Sequence, residues 1–244
     1  MKRLLLGVLL SVTVLFLFDV SAEAQMSVKA LNSDMEKGSR TLDYLLLEKT
    51  MNGFESLLEK NPEDTDLLYG AAKAYFAAAD CLDITSKDEF DKSGKGEEKV
   101  DTAIVIIEEL LEINDNYLNA YILKYYLLEK KITYVGFPML LKYVGDWNSA
   151  AAGAQKISPE DINVLLLKAH EASSGMPRPP VDKSIAGFEK VLKKAPEMAD
   201  IYFRMGVVFD KGKQKDNAKK NYLKAISLDP YHHWAKKKLK EMDK

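Results

Sequence analysis

The sequence predicts an all-α solenoid, a stack of antiparallel helix pairs closed by a C-terminal capping helix. Three observations predict it. In the window from Ala199 to Pro230, Tyr202, Met205, Gly206, Phe209, Ala218, Tyr222, Ala225 and Pro230 alternate large and small residues at the spacing of one helical hairpin. The helix-closing positions Pro62, Asp115, Pro159, Pro196 and Pro230 are separated by 53, 44, 37 and 34 residues, so the period tightens toward the C-terminus. Finally, the ten residues from Gly53 to Pro62 match those from Gly187 to Pro196 at six positions. Degenerate repeats of this kind bury their apolar faces only against neighbours, so no single pair is stable alone.

Each element has a reason in the chain. The segment from Asp34 to Lys60 reads as helical and opens the stack. Thr65 to about Ala79 carries Leu68, Ala71, Ala72 and Tyr75 on one face. The polar stretch from Asp83 to Gly96 reads as an exposed loop. Glu97 to Ile113 supplies the partner helix, with Ala103, Ile107 and Leu110 on its packing side. Tyr117 to Lys131 and about Pro138 to Lys156 form the third pair, the second helix broken near Gly145. Pro159 to Ser173 pairs with Asp182 to Lys194 across Gly175-Met176-Pro177-Arg178-Pro179-Pro180, a connector that cannot stay α-helical. In the last full pair, Gly206 and Ala218 are small where two helices touch, and Ala225 is small where the next helix crosses. Tyr202, Phe209 and Tyr222 fill the gaps these small residues leave. Pro230 stops the second helix. Tyr231 to Asp243 then caps the stack, with Trp234 and Leu239 facing inward and lysines over its open end.

The N-terminus has the form of an export signal. Lys2-Arg3 precede an apolar run of 15 residues from Leu4 to Phe18, and Ala22-Glu23-Ala24 is a small-x-small cleavage site. Cleavage after Ala24 makes Gln25 the first mature residue, and residues 25–244 then form a single solenoid in the periplasm or outside the cell. The run is short for a bilayer core of roughly 30 Å. No cysteine stands near the cut to carry a lipid anchor. Cys81 is the only cysteine, so no intrachain disulfide forms, and it reads as a small buried apolar residue.

A net charge of -2 argues against a general nucleic-acid binder. The charge is uneven: from Lys211 to Lys244 there are eleven Lys against four Asp and Glu. A solvated helical face accounts for this more simply than docking on an acidic partner or on anionic lipid headgroups. No catalytic constellation stands out. His170-Glu171 lacks the second histidine of a helical zinc motif, and Gly94-Lys95-Gly96 lacks the remainder of a phosphate loop. Adjacent His232 and His233 suit a surface turn better than a metal site. Asp88, Asp91 and Glu97 lack the alternation of a calcium loop. The chain therefore reads as non-enzymatic, with no cofactor and no metal.

The eight positions between Tyr202 and Pro230 resemble the tetratricopeptide repeat, a unit of about 34 residues. A narrower likeness, carried by Asn61 to Ala72 and by Arg178-Pro179-Pro180 ahead of Phe188, is to the periplasmic tetratricopeptide component of tripartite ATP-independent periplasmic (TRAP) transporters. The first resemblance implies a concave face lined by the first helix of each pair, where ligands bind. Carried onto this sequence, the lining is Tyr69, Lys73 and Phe76; Asn119, Ile122, Tyr126, Glu129 and Lys130; Asn163, Leu166 and His170; and Phe203, Val207, Asp210 and Lys211. Tyr69, Phe76, Tyr126 and Phe203 are aromatics that the repeat's own packing does not require. Aromatics beside Lys, Asn and Asp suit an extended protein or peptide segment. The second resemblance implies instead an accessory role beside transporter subunits, binding a small solute.

Overall fold

The computed structural model describes residues 17–86, 94–174 and 177–242, with side chains from Ser27 onward. The segment before Leu17 lies outside the described residues, as do residues 87–93 of the expected loop and Gly175-Met176 of the connector. All the regular structure described is helical: α1 (Leu17–Thr41), α2 (Tyr44–Leu58), α3 (Thr65–Thr85), α4 (Gly96–Ile113), α5 (Leu118–Val135), α6 (Leu141–Ile157), α7 (Ile162–Ser173), α8 (Val181–Leu192), α9 (Ala199–Lys211), α10 (Lys215–Leu228) and α11 (His233–Met242). No described helix is long and apolar enough to cross a membrane.

Five pairs, α1/α2 to α9/α10, stack in chain order, and α11 follows. The core is a chain of linked clusters. One joins α1 to α5 around Leu47, Phe54, Ala71 and Ile107. The next holds Tyr125, Ala151 and Leu167, the third Phe188, Ile201 and Met205, and the last Ala218, Tyr222, Ala225 and Ala235. Each cluster draws on consecutive helices, which is how a repeat stack buries its surface. The matched segments play matching parts. Phe54 and Phe188 are both fully buried on second helices. A methyl on Gly70 would meet the Phe54 ring, and one on Gly206 would meet the Tyr222 ring.

Aspartates start three of the helices. Asp43 accepts from Leu46 N at 3.1 Å, Asp64 from Asp66 N at 3.0 Å, and Asp161 from Asn163 N at 2.8 Å.

Three expectations change. The stretch expected to be helical from Asp34 to Lys60 divides at Leu42-Asp43 into a pair, α1/α2. Leu42 takes a left-handed φ of 55°, and Asp43 N donates to Gly38 O at 2.9 Å, a Schellman closure. Lys213 (φ 60°) and the bond from Gln214 N to Phe209 O end α9 in the same way. The second change is that α6 runs unbroken through Gly145. That glycine faces open space, and the propensity penalty of about 1 kcal/mol is too small to break a packed helix. The third is that α3 continues to Thr85, so Asp83 is helical and not in the loop.

Candidate functional site

The first helices of consecutive pairs, α3, α5, α7 and α9, touch one another in that order, and α11 packs on α10 and reaches α3. Between α1, α3, α5 and the turn entering α11 is a cavity of about 930 Å³. Of the expected lining, Tyr69, Lys73, Phe76, Ile122 and Tyr126 come together on this cavity, joined by Met35, Arg40, Asp80, Tyr231, His232 and Trp234. Tyr69 packs on Tyr117, ring centroids 5.4 Å apart. The Tyr117 hydroxyl donates to Asp66 at 2.9 Å. The Lys73 ammonium lies 5.5 Å from the Tyr69 ring centre.

Lys130 is not an open groove residue. It is buried, with its Nζ bonded to Asp80 at 2.7 Å and to Asp83. The rings of Trp234, Tyr134 and Phe76 lie 5.0, 5.7 and 5.9 Å from that nitrogen. Burial pushes its pKa down, but the two carboxylates outweigh burial and hold the ammonium charged, above its ordinary value. The Tyr134 hydroxyl donates to Asp83 at 2.9 Å. Burial and that carboxylate raise the phenol's pKa, so it stays protonated.

A second polar group lies further along. Glu129 takes the His170 Nε2 at 3.2 Å and has Arg204 at 3.8 Å. His170 is buried, and its Nδ1 meets the Tyr125 hydroxyl at 3.0 Å. A neutral ring with its proton on Nε2 satisfies both contacts. Burial and the nearby Arg204 charge keep the ring below its usual pKa against the pull of Glu129. Burial raises the Glu129 carboxyl, but His170, Arg204 and Lys211 outweigh it and hold the carboxyl at about 2. The Arg204 guanidinium lies 4.8 Å from the Tyr126 ring centre. Asp200 meets His232 Nε2 at 3.2 Å.

The remaining expected residues are dispersed. Leu166 is core. Phe203 packs on Tyr222 and, at 4.8 Å, on His232. Val207 joins the last apolar cluster. Asn119 and Lys211 are exposed, and Asn163 and Asp210 are half-buried. Sequence reasoning missed Asp80, Asp83, Arg204 and Asp200. Asp80 and Asp83 stand three apart on a helix expected to have ended before them, so no reading of that helix's face could include them.

The C-terminal segment departs most from a simple cap. Trp234 does face inward, but it reaches α3, donating from Nε1 to Asp80 at 3.3 Å. Lys237 Nζ donates to the Asp83 carbonyl at 2.7 Å. His233 Nε2 donates to the Arg40 carbonyl at 2.9 Å, and the Arg40 guanidinium lies 5.5 Å from the Tyr231 ring centre. Helix α11 and the turn before it thus meet the end of α1 and the C-terminal part of α3. Among the described residues, no group of three or more His, Cys, Asp and Glu is placed to hold a metal ion.

Residues 199–232 match the tetratricopeptide repeat family. No curated protein sequence matches the chain. Among solved structures, a thermophilic TPR protein of Thermus thermophilus is similar with a TM-score of 0.61 and 16% identity, covering 87% of this chain and 98% of that one. The human IFIT1 dimer with PPP-AAAA is similar with a TM-score of 0.55 and 15% identity, covering 81% of this chain and 42% of that one. At these identities the likeness is one of fold. The chain carries a tetratricopeptide repeat at 199–232 and, over most of its length, has the tetratricopeptide fold.

Proposed function

We propose that this is an exported, non-catalytic interaction module, and that its binding site is the inner cavity. The observation that carries the reading is the cavity wall itself. Tyr69, Phe76, Tyr126 and Trp234 line a space of about 930 Å³, with the Lys73 and Arg40 cations at its edge. Aromatic walls with a few charges hold an extended partner segment by burying one or two apolar side chains. The tetratricopeptide repeat at 199–232 supports a protein or peptide partner, and the net charge of -2 argues against a nucleic acid. Nothing in the fold or in the similar structures adds weight to the transporter-accessory role.

Panning a library of linear peptides on the immobilised chain tests the site. Peptides enriched on the wild type are expected to lose at least tenfold in affinity for Tyr69→Ala and Tyr126→Ala. Equal binding to both variants overturns the cavity as the site. Export rests on Lys2-Arg3, the apolar run and Ala22-Glu23-Ala24. Mass spectrometry of the chain secreted by a bacterial host is expected to find Gln25 at its start, and an intact N-terminus contradicts this.

A further inference from the structure

We infer that the segment from Tyr231 to Lys237 is a resident occupant of the inner face, and that a partner segment binds by taking its place. The inference rests on the cavity reading above and names the chemistry of the partner. Tyr231, His232, His233 and Trp234 form part of the cavity wall, so access to the cavity and the position of this segment are one question. Trp234 and Lys237 are three residues apart on α11 and therefore share one face. That face docks as a peptide ligand would. The indole N–H goes to the Asp80 carboxylate, the indole ring lies against the Lys130 ammonium, and the lysine goes to the Asp83 carbonyl. The receiving surface has its own framework: Lys130 is held among Phe76, Tyr134 and two carboxylates through contacts that do not involve the indole.

The attachment is exchangeable. Helix α11 has ten residues, too few to be stable alone. Ala235, Leu239 and Met242 supply its apolar hold on the last cluster. The seam with α1 and α3 consists of hydrogen bonds and ring–cation contacts, which water or a competing segment can replace at small net cost. Tyr231 is already about half exposed, at 49%. The incoming segment should therefore carry an aromatic hydrogen-bond donor followed three residues later by a lysine.

The test uses a fluorescent peptide copying residues 229–242 and the full-length chain. Wild type should bind the peptide weakly, because its own segment is seated. The Trp234→Ala and Lys237→Ala variants, each shown to be folded by circular dichroism, should bind at least tenfold more tightly. Adding Asp80→Asn to Trp234→Ala should remove that gain. Hydrogen exchange should show α11 of either single variant opening while α9 stays protected. Equal peptide binding by wild type and both folded variants overturns the inference, as does no binding by any of them. A wild-type dimer lost on Trp234→Ala would seat the segment in a second copy and overturn the intramolecular latch. If library peptides still depend on Tyr126 while the 229–242 peptide fails, the latch falls and the cavity reading stands. If neither binds, the cavity reading falls as well.

Discussion

Lys130 and Glu129 are adjacent on α5, and both sit in charge networks that reach across helices. Lys130 is buried against Asp80 and Asp83, and truncating it leaves two carboxylates facing each other without their cation. Lys130→Ala should destabilise the chain by on the order of 3 kcal/mol, read as a drop in the urea midpoint. A loss below about 1 kcal/mol would mean that water reaches those carboxylates freely. For Glu129 and His170 the pH signs agree. The Glu129 carboxyl is held at about 2 in the fold, below the unfolded value near 4.3. Its contribution is therefore complete above the unfolded value and is lost as pH falls toward 2. The His170 ring is held below its unfolded value of about 6.5, so the fold resists its protonation. Its contribution is present above that pH and is lost on acidification. Stability should thus fall from pH 7 to pH 3. Glu129→Gln should flatten the lower part of that profile in denaturant titrations at several pH values. An unchanged slope would contradict the assignment.

At the scale of helices, two glycines separate packing from propensity. Gly206 touches the Tyr222 ring, so Gly206→Ala forces that fully buried side chain to move. The expected loss is about 1–3 kcal/mol. Gly145 lies inside α6 with nothing near its open side. Gly145→Ala should stabilise by about 0.5–1 kcal/mol, because it removes backbone freedom from the unfolded chain. Thermal melts of the two variants should move in opposite directions. The small–large alternation around Gly206 was legible in the sequence because those residues serve one local hairpin. The α1/α2 break was not legible, since it depends on Leu42 accepting a left-handed φ that ordinarily marks glycine. The end of α3 was hidden for a related reason. Asp80 falls just past the expected helix end and Asp83 reads as the start of a polar loop, until Lys130, some fifty residues later, supplies their counter-charge.

For the whole molecule, repetition predicts an open curved stack, but the chain closes it. His233 meets Arg40 across 193 residues, and Trp234 and Lys237 meet Asp80 and Asp83 across 154. Contacts at such separation leave no periodic trace, so the half of the site supplied by the C-terminus could not be read from helical offsets. The half supplied by α3 and α5 could, because inward offsets are local to each helix. Closure seats the Tyr231–Lys237 segment over the surface that α3 and α5 supply, and the proposed exchange depends on that seating. The most direct measurement is the distance between spin labels placed at Lys37 on α1 and Lys236 on α11, both exposed, in the full-length chain. The account predicts a single short, narrow distance that lengthens with Trp234→Ala. A long or broad distribution in the unaltered chain would contradict it.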